Sequence, residues 1–272
     1  MVATRAISRG EIFLREQPLA SVAVGRNAPW SHLGAGAAAL DGEWERNGQR
    51  FPRLCLRLVG LLLSRPGLWH DQLRHLCYPK MQSRFPEEWV TDFRRLRHSL
   101  LNGHDTGTEG NRHASGLPRD VAEQFDAMFT PEVWGTLMGM AHLNSFRLRC
   151  PTVTDPDAEA TCLFVPAPLN KSLVLPFFLQ SSGKWTYWSE QIQASFFNHD
   201  CSPNVEVLSR ETVGVASGDE QPMFHFKATT EVAEGQELCI SYVGELATVP
   251  DRRKEQLELL SWGYGITVDS TC

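Results

Sequence analysis

A chain of 272 residues is long enough for one large domain or two small ones, and its net charge of −6 at pH 7 argues against a general nucleic-acid binder. Hydrophobic residues at 42% and charged residues at 21% are ordinary for a water-soluble globular protein. No apolar run nears the roughly 20 residues of a membrane span, and the N-terminus lacks the basic-then-apolar pattern of a secretion leader, so an intracellular residence is expected, in nucleus or cytoplasm.

Residues 1–24 read as extended structure, with Arg9-Gly10 as a turn before the β-prone positions Ile12, Leu14, Leu19, Val22 and Val24. Residues 25–42 are rich in Gly and Ala and read as a flexible connection or a weak helix. From about Glu43 to Met140 the apolar spacing turns helical: Leu54, Leu58, Leu61 and Leu62 share a face, as do Val90, Phe93, Leu96 and Leu100. Thr130 followed by Pro131 predicts a helix N-terminus, with a hydroxyl cap and Pro at the first position. Strand signals return from Ala141: 146–153, 161–165, 205–208, 223–228 and 238–243. Pro250 to Leu260 reads as a charged amphipathic helix. Short strands with a helical middle predict an α+β fold, mostly β with a helical insertion, built on small antiparallel sheets rather than a doubly wound one.

Charge is uneven along the chain. Ten Lys/Arg face four Asp/Glu between Arg50 and Arg97, and thirteen Asp/Glu face five Lys/Arg between His199 and Cys272. The acidic half fits either a solvated face or a site that attracts a basic peptide. Seven cysteines (55, 77, 150, 162, 201, 239 and 272) without a Cys-x-x-Cys disfavour a disulfide framework, point to a reducing compartment and give no zinc motif by spacing.

Two dense strings stand out. One is Ser195-Phe-Phe197-Asn198-His199-Asp-Cys201-Ser-Pro203-Asn204; the other is Glu234-Gly235-Gln236-Glu237-Leu238-Cys239-Ile240-Ser241-Tyr242. Taken singly, His199 reads as a structural hydrogen-bonder, Tyr242 as a strand-end aromatic, Asn204 as a turn residue, and Cys201 and Cys239 as core thiols. Their joint pattern carries the functional reading.

That pattern resembles the SET-domain family, and more narrowly the SMYD-like and related fungal SET proteins with a split core. Asn198-His199-x-Cys201-x-Pro203-Asn204 and Gly235-x-Glu237-Leu-x-Ile-Ser241-Tyr242 are similar to its two signatures. Ala3-Thr-Arg5-Ala-Ile7 with Gly10-Glu11 and Glu16-x-Pro18 resembles the N-terminal strands, and Asn144-Ser145-Phe146 the Asn-x-Phe strand. The resemblance implies a SET fold with pseudoknot-like C-terminal threading. It divides the chain into a SET domain at 1–247 and a degenerate post-SET segment at 248–272, the core being split as 1–24 and 141–247 around an insertion of about 25–140. It further implies S-adenosyl-L-methionine as cofactor and methyl transfer to a lysine of a histone or other protein. Asn144, Ser195, Phe197, Asn198, His199 and Tyr264 are then the cofactor residues. Tyr242 is the catalytic residue at the substrate channel, and Tyr264 or Trp262 closes the far wall.

The chain departs from the family pattern in three places. The Gly-x-Gly turn that normally precedes the Ala-x-Arg strand is missing before Met1, which means a truncated chain or weakened cofactor binding. Ile266 and Val268 stand where the family has zinc-binding cysteines, leaving Cys201 and a displaced Cys272, so no zinc is expected. No MYND-type zinc module is present. A second reading follows from these departures: a catalytically impaired SET-derived binding or regulatory protein.

Overall fold

Gly10 sits at φ +84°, a left-handed geometry that glycine adopts without steric cost. It turns the chain into β1 (Ile12–Glu16), followed by β2 (Ala20–Ala23). The computed structural model describes residues 1–23, 33–65, 67–76, 85–101, 117, 119–150, 159–164, 197–200, 202–210 and 223–241. Six helices follow β2: α1 (Gly34–Arg46), α2 (Arg50–Ser64), the short α3 (Leu68–Asp71), α4 (Glu87–Leu101), α5 (Arg119–Met128) and α6 (Pro131–Asn144). With a 3-10 turn at Leu73–His75, the strands β3 (Ser145–Arg149), β4 (Glu159–Leu163), β5 (Asn198–His199), β6 (Val205–Arg210), β7 (Met223–Ala228) and β8 (Cys239–Ile240) complete the described elements.

The strands form two three-stranded antiparallel sheets, β1-β7-β6 and β2-β4-β3, and a two-stranded pair, β5-β8. The pair is parallel, with Asn198 opposite Cys239 and His199 opposite Ile240, where only antiparallel sheets were expected. In the central β7, Phe224, Phe226 and Ala228 point inward while Met223, His225 and Lys227 stay half-exposed, the period-2 pattern of a one-sided sheet. The α+β class holds. Strand does not dominate, however: the described structure is 49% helix and 24% strand. The helical insertion is described over most of its length, whereas 165–196, 211–222 and 242–272 lie outside the described residues. The expected helix at 250–260 and the C-terminal threading fall in that last stretch.

The sheet β2-β4-β3 separates two cores. Ala20, Val22 and Leu163 join the helical core of Trp44, Leu54, Leu58, Leu96 and Trp134. Ala160, Cys162 and Phe164 join the second core, with Phe197, Phe224, Phe226 and Ile240. Alternate residues of β4 therefore face opposite cores, as strand geometry requires. The helical region is packed against the sheet that leads into the C-terminal strings.

Two observations refine the helical region. The basic excess at 50–97 is partly internal and partly paired: Arg53 and Arg57 are buried, and Arg94, Arg95 and Arg97 pair with Glu87, Glu43 and Asp126. And α6 does not stop near Met140. It is capped as expected, the Val133 N–H donating to Thr130 Oγ1 at 3.4 Å, but it continues to Asn144, so Asn144 closes a helix rather than sitting on a strand. Asn144 Nδ2 donates to the Met140 carbonyl at 2.9 Å and Ser145 Oγ to that of Ala141 at 2.5 Å. These bonds satisfy carbonyls that a helix end otherwise leaves open.

In the same last turn, His142 stacks between Phe51 (3.7 Å between ring centroids) and Trp89 (5.2 Å). Burial lowers its pKa from 6.5 to about 4. The unfolded chain therefore binds the extra proton between pH about 6.5 and 4, and stability falls as pH drops through that window. The full linkage would be about 3 kcal/mol. Attraction of an imidazolium to the flanking ring faces offsets part of it, leaving about 1–2 kcal/mol. Urea unfolding of wild type and His142→Phe at pH 7 and pH 4.5 checks this; the pH-dependent loss should shrink by that amount in the variant.

Candidate functional site

The site begins with a buried ring. Phe197 has no solvent exposure, lies parallel to Phe226 at 5.2 Å and meets Phe13 edge-on at 6.3 Å. Expected as a cofactor residue, it packs in the second core directly before the exposed Asn198. Asn198 comes out of that core exposed, and His199 is half-buried.

The turn after His199 is closed by local bonds. The Asp200 N–H donates to the Ile240 carbonyl at 3.1 Å, and Asp200 Oδ1 accepts from the Ser202 N–H at 2.8 Å, a self-bonded aspartate turn. Thr229 fastens the far end: its N–H donates to the Asn204 carbonyl at 2.9 Å and its Oγ1 to the Pro203 carbonyl at 3.1 Å.

Asn204 then does more than shape a turn. Its Nδ2 donates to the Glu237 carbonyl at 2.8 Å, and its Oδ1 accepts from the Cys239 N–H at 2.9 Å. One carboxamide supplies the donor and acceptor that a neighbouring strand residue would, and so fixes the register of residues 237–239. Asn204→Ala leaves both backbone groups without these partners. Such a loss costs about 1–3 kcal/mol, readable as a lower urea midpoint; Asn204→Asp, which keeps the acceptor only, should fall between.

The second string is held from its other edge by the N-terminus. The Ala3 N–H donates to the Gln236 carbonyl at 2.8 Å, the Gly235 N–H to the Ala3 carbonyl at 2.8 Å and the Leu238 N–H to the Met1 carbonyl at 2.9 Å. Gly235, at φ +81°, makes the turn that allows this. Three sequence segments far apart in the chain thus meet around Glu237: residues 1–3, the Asn198–Asn204 turn and the 235–240 segment that ends in β8. At the rim, Asn198 Nδ2 donates to Glu237 Oε1 at 2.6 Å.

The chemistry on offer is that of a positioning site. Burial, then Glu237 and Asp200, pushes the Cys239 thiol up, so it stays protonated at neutral pH and makes a poor nucleophile. Among the described residues no group of three or more His, Cys, Asp or Glu could hold a metal ion. No helix among them is long and apolar enough to cross a membrane. Asn144 is buried, its Nδ2 turned back onto its own helix. Ser195, Tyr242, Trp262 and Tyr264 lie outside the described residues, as do Cys201, Ile266, Val268 and Cys272. Single-residue reading missed the bonds by which Asn204 and Glu237 join the two strings. The signal was present, since both stand at fixed places within the two strings, but its meaning depends on pairing across 33 residues or more.

The SET-domain family model matches residues 1–243. The chain belongs to the SET-domain family. No curated protein gives a match. SET-domain proteins are in general protein-lysine methyltransferases that use S-adenosylmethionine, and the meeting of residues 1–3, 198–204 and 235–240 is the part of this SET domain where both signature strings converge.

Proposed function

We propose that this SET domain is an S-adenosylmethionine-dependent protein-lysine N-methyltransferase, of the SMYD-like, fungal split-core type. One observation carries the reading. The Asn198–His199 turn is paired in parallel with Cys239–Ile240, two residues before Tyr242, so the turn assigned to the cofactor and the strand leading to the assigned catalytic tyrosine form a single unit. The donor set fits such a cofactor: an exposed carboxamide with a fixed orientation, beside an exposed carboxylate, supplies hydrogen-bond acceptors to a ligand rich in N–H and O–H groups.

Bound there, S-adenosylmethionine supplies an electrophilic methyl on a sulfonium. The chain's own residues position the partners. Asn198 and His199 would hold the cofactor, with Asn144, Ser195 and Tyr264 assigned to it by the family resemblance, and Phe197 packs the turn into the core. Tyr242 orients the lysine amine. The walls around it, Tyr264 or Trp262 among them, exclude water, which favours the neutral amine by disfavouring its charged form. The acidic half of the chain suits a basic, lysine-bearing protein segment as substrate, in nucleus or cytoplasm, rather than nucleic acid or membrane. The domain is read as 1–247 with a split core and a degenerate segment at 248–272, without zinc.

The test is calorimetric titration of the full chain with S-adenosylmethionine, followed by radiolabelled methyl transfer to histones and to lysate protein. Saturable binding with transfer supports the enzyme. Absence of both overturns it, and binding without transfer to any protein turns the reading to a regulatory SET-derived protein.

A further inference from the structure

Asn198 is exposed, yet its carboxamide has a defined direction. Its Nδ2 donates to Glu237 Oε1 at 2.6 Å. A carboxylate oxygen accepts and does not donate, so the NH2 end of Asn198 must face Glu237 and the Oδ1 end must face away from it. Glu237 is itself held. Its carbonyl accepts from Asn204 Nδ2 at 2.8 Å, its backbone bridges Val2, and its neighbour Cys239 is tied to Asn204 Oδ1 at 2.9 Å. Both asparagines of the first string therefore converge on one residue of the second, Asn204 on its main chain and Asn198 on its side chain.

We propose that Glu237 is a positioning residue: it locks the Asn198 carboxamide with Oδ1 turned toward the ligand, so that the acceptor is presented before binding. The inference rests on the cofactor reading of Asn198 given above. Without Glu237 the amide rotates between its two orientations, and binding must select and immobilise one of them. Freezing one such side chain changes affinity by about 3- to 10-fold.

The experiment measures the dissociation constant for S-adenosylmethionine by calorimetry on the full chain, for wild type, Glu237→Ala, Glu237→Gln, Asn198→Ala and the Asn198→Ala/Glu237→Ala double variant. Glu237→Ala should bind about 3- to 10-fold more weakly. Glu237→Gln should stay near wild type, because its Oε1 can accept the same hydrogen bond; a merely charge-based role would not be rescued in this way. In the Asn198→Ala background, Glu237→Ala should add nothing. An equal loss in Ala and Gln, or a full loss that persists without Asn198, overturns the proposal. A nitrogen-15 correlation spectrum without cofactor gives an independent readout. The Asn198 Nδ2 proton resonance, assigned by its loss in Asn198→Ala, should move in Glu237→Ala and hold in Glu237→Gln; an unmoved resonance in Glu237→Ala also overturns it. Wild type that binds no S-adenosylmethionine refutes the cofactor reading and this inference with it, whereas wild type that binds with Glu237→Ala unaffected refutes the positioning role alone.

Discussion

Replacing Asp41 by alanine is expected to destabilise the fold by about 3–5 kcal/mol, the range for removing one partner of a buried ion cluster. Asp41, Arg53 and Arg57 are each no more than 5% exposed. Asp41 Oδ1 accepts from Arg53 Nε at 3.2 Å and its Oδ2 from Arg53 Nη2 at 3.4 Å, with Arg57 Nη2 at 3.6 Å. Burial already lowers Arg57 to about 10, and Asp41 is the strongest influence holding it up. Alanine leaves two guanidinium groups in the interior. Glu45, at 3.3 Å from Arg53 Nη1 and also favouring the charged form of Arg57, remains only as a partial counter-charge to the two. Because Arg53 Nη1 also donates to the Ala23 carbonyl at 3.4 Å, the damage reaches the end of β2 and loosens the helices against the sheet. Urea unfolding measures the loss. Asp41→Asn, which keeps an acceptor but not the charge, should fall between. Replacing Asp41, Arg53 and Arg57 together by Leu, Met and Leu should recover much of the stability, since the fully buried charges are removed together and only the partly exposed Glu45 is left. A loss below 1 kcal/mol in Asp41→Ala would show that water reaches the cluster and that the helices are not anchored there.

The legible parts of this fold are those decided within a few residues. The Arg9-Gly10 turn, the alternation of Phe224 and Phe226 with His225 and Lys227, and the Thr130-Pro131 helix start all follow from local backbone and side-chain chemistry. What the sequence hid was decided by distant partners. The last turn of α6 reads as the return of strand structure from Ala141, but it is helical, with His142 stacked on Phe51 and Trp89 and with Asn144 and Ser145 bonded back to its carbonyls. The arginines of 50–97 read only as a basic excess, because some of their carboxylates lie far along the chain, 12 residues away for Arg53 with Asp41 and 52 for Arg95 with Glu43. The site behaves in the same way: its two strings were visible as strings, while the clamp by Asn204 and the rim bond from Asn198 to Glu237 exist only once the strings are folded together. The parallel β5-β8 pairing belongs to the same group, since two-residue strands carry no period to read.

Tyr242→Phe is expected to slow methyl transfer about 100-fold, the effect of losing one well-placed positioning contact at the reacting centre, while leaving cofactor affinity nearly unchanged. Tyr242 lies two residues beyond Ile240, whose register is set by pairing with His199 and by the bonds of Asn204 to Glu237 and Cys239. The same turn that carries Asn198 therefore fixes β8, the element that precedes Tyr242 in the chain. On the proposed function, phenylalanine preserves an aromatic wall and its attraction for a cationic centre, about 0.5–2 kcal/mol, and removes only the hydroxyl proposed to orient the amine. A contact that strengthens toward the transition state lowers the rate constant when lost, without weakening ground-state binding. Asn198→Ala should show the opposite split: weaker cofactor binding, with much of the transfer rate restored at saturating cofactor. The pair of variants thus separates the two ends of one structural unit, one for binding and one for chemistry. Equal effects of both on cofactor affinity would place Tyr242 in the binding pocket. A Tyr242→Phe variant as active as wild type would remove Tyr242 from the reaction and leave the β5-β8 unit as a binding device alone.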